Sequence, residues 1–182
     1  MGQLIGFDSM NNDSLRWMNK TNNLRETDSY KNAIEVLRKY NFQTWASFIL
    51  GNDYDTEDAI KKTVEFAIRS KFTLAYFHML APYPNTEIFD QFREEGRLLY
   101  DGKWWLHPDY RYNSSPFIPK HMPPVRLSEL VVWANKYFYA LNSIAKRFID
   151  MKTNFHSLFN ALFFLKFNFL MRNTSIRSDD KV

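Results

Sequence analysis

Cysteine is absent from the 182 residues of the chain. This absence excludes disulfide bonds, cysteine-ligated zinc, thiol catalysis and any iron–sulfur cluster held by thiolates of this chain. Glycine and proline are scarce as well, at 5 and 7 residues. So few turn-forming residues argue against a turn-rich β-sandwich and against a linker protein.

Apolar and aromatic residues are abundant. They make up 45% and 18% of the chain, with 17 Phe, enough to fill a sizeable core and to exclude a disordered tail. Residues 1–100 carry 12 Lys/Arg and 14 Asp/Glu, whereas residues 101–182 carry 12 and 6. Because these later cations are scattered singly, they indicate a solvated surface, and we expect no nucleic-acid partner.

No basic start followed by an apolar core is visible, so we expect a cytoplasmic chain without a signal peptide. The longest apolar stretch, residues 155–171, is interrupted by His156, Asn160, Lys166 and Asn168, which argues against a membrane span. A helix that covers the open side of a sheet is the favoured interpretation of this stretch. Attachment to a membrane surface through residues 155–171 is the alternative.

Strands alternate with helices over the first hundred residues. Apolar runs at 3–7, 42–50 and 72–80 predict strands, and helical periodicity follows each of them, with Asp55 or Thr56 and Thr86 as N-caps and Asn41 as a left-handed stop. This order predicts an α/β fold: a half TIM-like βα barrel of three parallel strands with outer helices. The loops at 8–9, 51–55 and 82–86 should then lie side by side.

The character of the chain changes after Gly96. Residues 100–124 are irregular and aromatic, with five prolines from Pro108 to Pro124. An apolar face from Ser128 to Phe148 predicts one helix of about six turns, and residues 155–171 predict a last helix. We therefore divide the chain into a partial barrel (1–98), an aromatic, proline-rich connector (99–125) and a C-terminal helical extension (126–182).

Five short motifs occur in a recognisable order: IGFDS at 5–9, MNK at 18–20, SFILGNDYDT at 47–56, LAPYPNT at 80–86 and FIPKHM at 117–122. Together they resemble the later part of a radical S-adenosylmethionine enzyme of the cobalamin-binding-domain subgroup. The family patterns are GFES or GFDS, a GxIxG-type strand end, a TPYPGT-type loop and FxPKxM. The sequence departs from these family patterns at two positions. Ser47 stands where the family commonly has Gly or Ala, and Asn85 stands where the family has Gly.

The resemblance implies a cofactor-binding set at the three strand ends, composed of Asp8, Ser9, Ser47, Ile49, Gly51, Pro82 and Tyr83. The first two would lie near the ribose and methionine of S-adenosylmethionine, the next three against adenine, and the last two would close the adenine side. Tyr76 and His78 alternate on the last strand and are expected to face the interior and bind substrate. Simpler interpretations stay open: Asp8 as a helix cap, Gly51 as a turn residue and His78 as a core residue.

The motif that binds the cluster in this family, CxxxCxxC, is absent, as is the cobalamin domain that precedes it. The resemblance therefore implies a partial S-adenosylmethionine site, with a 4Fe-4S cluster and cobalamin that this chain's own residues do not bind. We expect the chain to be inactive alone, and we assign no catalytic and no metal-ligating residue. A Met1 directly against the first strand suggests a truncated gene product, a split gene or a remnant.

A different class of function is also compatible with this sequence. Three parallel strands leave two open edges and an uncovered face. If these surfaces bind another protein, the chain is an interaction module. It would complete a barrel with a cysteine-bearing partner, or associate with itself through its open sheet edges.

Overall fold

Three parallel strands form the centre of the protein. The structure, a computed structural model, describes residues 2–20 and 27–177. Strands β1 (Gly2–Asp8), β2 (Gln43–Leu50) and β3 (Leu74–Met79) form one sheet in the order β1-β2-β3, and both pairs are parallel. The predicted α/β half-barrel of three parallel strands is thus confirmed.

Seven α-helices surround or follow the sheet in the described part of the chain. They are α1 (Asn12–Trp17), α2 (Thr27–Lys39), α3 (Glu57–Arg69), α4 (Glu87–Glu94), α5 (Pro124–Phe138), α6 (Leu141–Phe148) and α7 (Leu158–Arg177). Two short 3-10 turns, at Tyr100–Gly102 and Trp104–Leu106, lie in the aromatic connector.

The two faces of the sheet differ in burial. On the covered face, helices bury the side chains of Phe7, Ala46, Phe48, Ala75 and Phe77. The opposite face, called the open face here, carries the alternate residues of each strand, and Leu4 on it is 59% exposed. Strand alternation alone produces this division, since successive side chains point to opposite sides of a sheet.

Short-range signals set the ends of the first helices. Thr56 Oγ1 accepts a hydrogen bond from the Ala59 amide at 3.2 Å, and Thr86 Oγ1 accepts one from the Phe89 amide at 3.3 Å. Asn41 has a φ of 59°, so the left-handed helix stop predicted there is confirmed. The alternative cap for α3, Asp55, has another role that is described below.

The long helix predicted from Ser128 to Phe148 is wrong in two respects. The helix begins earlier, at Pro124. It is also interrupted between Phe138 and Leu141, so that two helices, α5 and α6, stand in place of the single predicted one. Ser143 Oγ and Arg147 Nη2 both donate to the Phe138 carbonyl, at 2.6 and 2.9 Å, where α5 ends. The apolar periodicity continues across the break, which is why the pattern did not show it.

Arg147 joins the C-terminal helices to the sheet. Its side chain is fully buried, and its guanidinium donates to the carbonyls of Phe72 and Thr73 at 3.0 and 3.1 Å. The guanidinium also lies 3.7 Å from the ring centroid of Phe138. A buried cation that is satisfied in this way ties α6 to the chain that enters β3.

The last helix contacts the open face near the start of the strands. The Phe163 ring stacks on Trp45 at 5.7 Å and 4°, and Gln43 Nε2 donates to the Asn160 carbonyl at 3.1 Å. The outer side of α7 exposes Leu158 (77%) and Phe159 (70%). Across the described residues, no helix combines the length and the apolar character that a membrane crossing requires.

Candidate functional site

The loops that follow the three strands meet at the carboxyl edge of the sheet. Asn11 Nδ2 donates to the Tyr54 carbonyl at 3.0 Å, which joins the β1 loop to the β2 loop. The Leu80 amide donates to the Leu50 carbonyl at 2.8 Å and extends the ladder between β2 and β3. The edge is therefore one continuous rim, as parallel strand order predicts.

The β2 loop is organised around a buried carboxylate. Asp55 Oδ2 accepts hydrogen bonds from the amides of Gly51 and Asn52 at 2.9 and 3.1 Å, and Oδ1 accepts one from Ser14 Oγ at 3.0 Å. Burial raises the pKa of Asp55, although these hydrogen bonds act in the opposite direction. Asp55 thus holds the loop and α1 together.

Asp8 places a carboxylate on the open face. A Cβ built on Gly6 would lie 3.6 Å from Asp8 Oδ1, and Gly6 occupies the same row of the sheet as Ser47 and Tyr76. The Lys20 ammonium lies 3.7 Å from Asp8 Oδ2. An acidic group therefore lies over the β1 side of the open face, beside the rim.

Ser9 and Gly51 have structural partners within the protein. The Ser9 side chain is buried, and its Oγ accepts the Asn11 amide at 3.0 Å. Gly51 has a φ of +100°, and a Cβ on it would lie 2.6 Å from Leu127 Cδ2 and 3.3 Å from the Phe117 ring. Packing against α5 explains the glycine, and a cofactor role for either residue stays a prediction.

A cavity of about 430 Å³ lies beside β3. It brings the predicted residues Tyr76, His78 and Tyr83 together with residues that the sequence did not identify. We call it the aromatic cavity; its other lining residues are Phe77, Met79, Leu80, Ala81, Trp104, Tyr110, Tyr112, Asn113, Ser114, Pro116, Val132, Asn135, Met171, Thr174 and Ser175. The density of rings in residues 100–124 was the one signal that could have indicated it.

Burial favours the neutral form of two titratable groups in the aromatic cavity, His78 and Tyr110. His78 is exposed on the open face, but the partial burial around it lowers the pKa of its imidazole below the ordinary value of 6.5. Burial also raises the pKa of the Tyr110 phenol. The Tyr76 and His78 rings are nearly parallel, at 6.0 Å and 11°. Both rings belong to the lining of the aromatic cavity.

The other acidic residue of the β2 loop serves in an ion-pair cluster. Asp53 accepts from Arg97 Nη2 at 2.6 Å and from the Lys120 ammonium at 2.6 Å, and its side chain is 1% exposed. Arg97 also donates to the Ile118 carbonyl at 2.7 Å. The sequence suggested only a turn here, and 44 residues separate Asp53 from Arg97.

The predicted cofactors fit this edge unequally. The chain has no cysteine, and within residues 2–20 and 27–177 no group of three or more His, Asp or Glu could hold a metal ion. An iron–sulfur cluster therefore has no ligand set here. S-adenosylmethionine fits in part, because Asp8, Ser47 and Ile49 share the open face at the rim, whereas Ser9 and Gly51 are engaged elsewhere.

Comparison with known proteins finds two methyltransferases and a methylase that are similar to part of the chain. The chain is 29% identical over 143 residues to bacteriochlorophyllide d C-12(1)-methyltransferase of Chlorobaculum tepidum, covering 79% of this chain and 30% of that protein. It is 27% identical over 98 residues to the C-8(2)-methyltransferase of the same organism, covering 54% and 22%. Hopanoid C-2 methylase of Rhodopseudomonas palustris is 25% identical over 97 residues, covering 53% and 18%.

The chain spans less than a third of the length of these relatives. No family model matches the sequence.

Proposed function

Because the chain is related to the cobalamin-type radical S-adenosylmethionine proteins, we propose that it forms the later half of such a barrel and keeps part of its S-adenosylmethionine pocket. One observation carries the proposal: Asp8, Ser47 and Ile49 share the open face where the three loops converge. A cluster would need cysteine ligands from outside this sequence. We therefore expect no radical chemistry from the chain alone.

The residues of the open face would divide the cofactor between them. The Asp8 carboxylate can accept two hydrogen bonds, which suits the two hydroxyls of a ribose. The Ile49 side chain offers apolar surface to adenine, and Pro82 and Tyr83 lie at the adjacent strand end. In this family, cleavage of the bound cofactor by an electron from the cluster starts the radical chemistry.

Isothermal titration with S-adenosylmethionine tests this proposal. Hydrogen bonds to a charged group contribute about 1.5–3 kcal/mol, so Asp8→Ala should weaken binding about 10- to 100-fold. Asp58→Ala is the matched control, because Asp58 lies on α3 and is 72% exposed. No heat from a folded sample, or equal binding by Asp8→Ala, would refute the cofactor pocket.

The sheet edge supports a second candidate, an interaction module. β1 and β3 are the edge strands of the described sheet, and Leu4 on β1 is 59% exposed. Edge strands with apolar residues are templates for association. A cysteine-bearing partner or a second copy of this chain would then complete the barrel.

Sedimentation over a wide concentration range tests the self-association form of this second candidate. Wild-type protein should associate as its concentration rises, and Leu4→Lys should remain monomeric because a lysine blocks edge pairing. Leu158→Lys is the matched control, because Leu158 lies on the outer side of α7 and is 77% exposed. A wild-type monomer at every concentration would argue against self-association.

A further inference from the structure

We propose that the aromatic cavity binds an uncharged aromatic molecule beside Tyr76 and His78. The inference rests on the proposed function, because that function makes the open face beside β3 the place where a substrate would meet the cofactor. The cavity volume, about 430 Å³, lies within the range of roughly 300–1,000 Å³ that is common for small-molecule sites.

The lining of the aromatic cavity argues against a charged ligand. None of the described residues that line it is Asp, Glu, Lys or Arg. The partial burial of His78 lowers its pKa, so the imidazole carries no charge at pH 7. A charged group that entered this lining would lose hydration without gaining an ionic partner, which is unfavourable.

The arrangement of the rings argues for an aromatic ligand. The Trp104 ring lies 5.9 Å from Tyr83 and 5.0 Å from Tyr110, centroid to centroid. At these separations the rings touch one another and leave no space for a cation between them, unlike an aromatic cage for an ammonium group. The Trp104 ring is tilted by 57° to Tyr83 and by 51° to Tyr110, so the three rings offer both faces and edges to an aromatic ligand.

The mouth of the aromatic cavity offers further contacts. Tyr112 is 74% exposed and Tyr83 is 59% exposed, so both have surface to lose when a ligand is bound. Their side chains can change without the loss of core packing. Tyr112 is therefore suited to a substitution that tests binding while the fold is kept.

Fluorescence titration with three matched probes tests the ligand class. 1-Pyrenemethanol is neutral, 1-pyrenemethylamine is cationic and pyrene-1-carboxylate is anionic, and all share one flat ring system. We expect the neutral probe to bind at least about tenfold more tightly than either charged probe, a difference of about 1.4 kcal/mol. Equal or tighter binding of a charged probe would overturn the inference.

Variants locate the bound probe. Tyr112→Ala and Tyr76→Ala should each weaken 1-pyrenemethanol binding several-fold. Phe159→Ser is the control for adventitious binding to exposed apolar surface, because Phe159 lies on the outer side of α7 and is 70% exposed. Weakening by Phe159→Ser alone, with Tyr112→Ala and Tyr76→Ala unchanged, would overturn the site.

Titration of S-adenosylmethionine into the same samples separates this inference from the proposed function. Cofactor binding without 1-pyrenemethanol binding would overturn the aromatic cavity as a ligand site and leave the proposed function standing. Probe binding without cofactor binding would support the ligand class and overturn the proposed function.

Discussion

Gly51→Ala tests how the rim is fixed to the outer helices. A methyl group at this position faces two separate obstacles: a backbone φ of +100°, and Leu127 Cδ2 at 2.6 Å from the new Cβ. Gly96 is a matched control, since its φ is +66° and, apart from the glycine and its two chain neighbours, no heavy atom of the described residues lies within 4 Å of where its methyl group would be. The two substitutions share backbone strain and differ in crowding.

The expected magnitudes follow from these contacts. A non-glycine residue in the left-handed region costs about 1–2 kcal/mol, and overpacking of a buried site costs about 1–3 kcal/mol. Gly51→Ala should therefore lower the free energy of unfolding by about 2–5 kcal/mol. Gly96→Ala should lower it by only about 1–2 kcal/mol.

Urea denaturation followed by circular dichroism measures both losses. Adding Leu127→Ala to Gly51→Ala should recover about 1–3 kcal/mol relative to the sum of the single changes, because the clash is removed. Equal losses for Gly51→Ala and Gly96→Ala, together with additive double-mutant behaviour, would refute the packing explanation of Gly51.

Three further predictions address charge and surface. Asp53→Asn should lower the free energy of unfolding, measured by urea denaturation, by about 3–5 kcal/mol, because it breaks a buried ion pair. Asp58→Asn, which removes an exposed ion pair, should change it by less than about 1 kcal/mol. Equal effects of the two substitutions would contradict this prediction. NMR titration should place the pKa of His78 below 6.5. Since the unfolded chain then binds the proton more readily, stability should fall as pH drops from 6.5 toward the folded pKa; a midpoint above 6.5 would reverse the sign. If α7 binds membrane surfaces, the wild-type protein should float with anionic vesicles, and the double variant Phe159→Ser/Leu162→Ser should not. Wild-type protein that stays at the bottom of the gradient would exclude this role.

The features of the fold that could be predicted from the sequence are mainly those that depend on residues close together in the chain. The caps Thr56 and Thr86 and the stop Asn41 act within one helical turn, so their residue types carry the information. The parallel order of the strands followed from alternation and crossover rules. These local and topological rules were sufficient to place the loops that follow the three strands at one edge, whereas the choice of Ser47 and Ile49 as site residues came from the family resemblance.

Features that depend on distant partners could not be predicted in this way. Trp104 reaches Tyr83 and Tyr110 only because the connector folds back beside β3. Arg147 is charged yet fully buried, against its usual preference for the surface. The pairing of Asp53 with Arg97 likewise requires the tertiary fold.

An NMR titration of the ¹⁵N-labelled chain with S-adenosylmethionine shows whether the carboxyl edge of the sheet binds this cofactor. We expect saturable shifts at the amides of Asp8, Ile49 and Leu80, which border the rim, with Ala161 on α7 unchanged. Absence of shifts in a folded sample, or shifts confined to α7, would contradict a cofactor pocket at the carboxyl edge of this sheet.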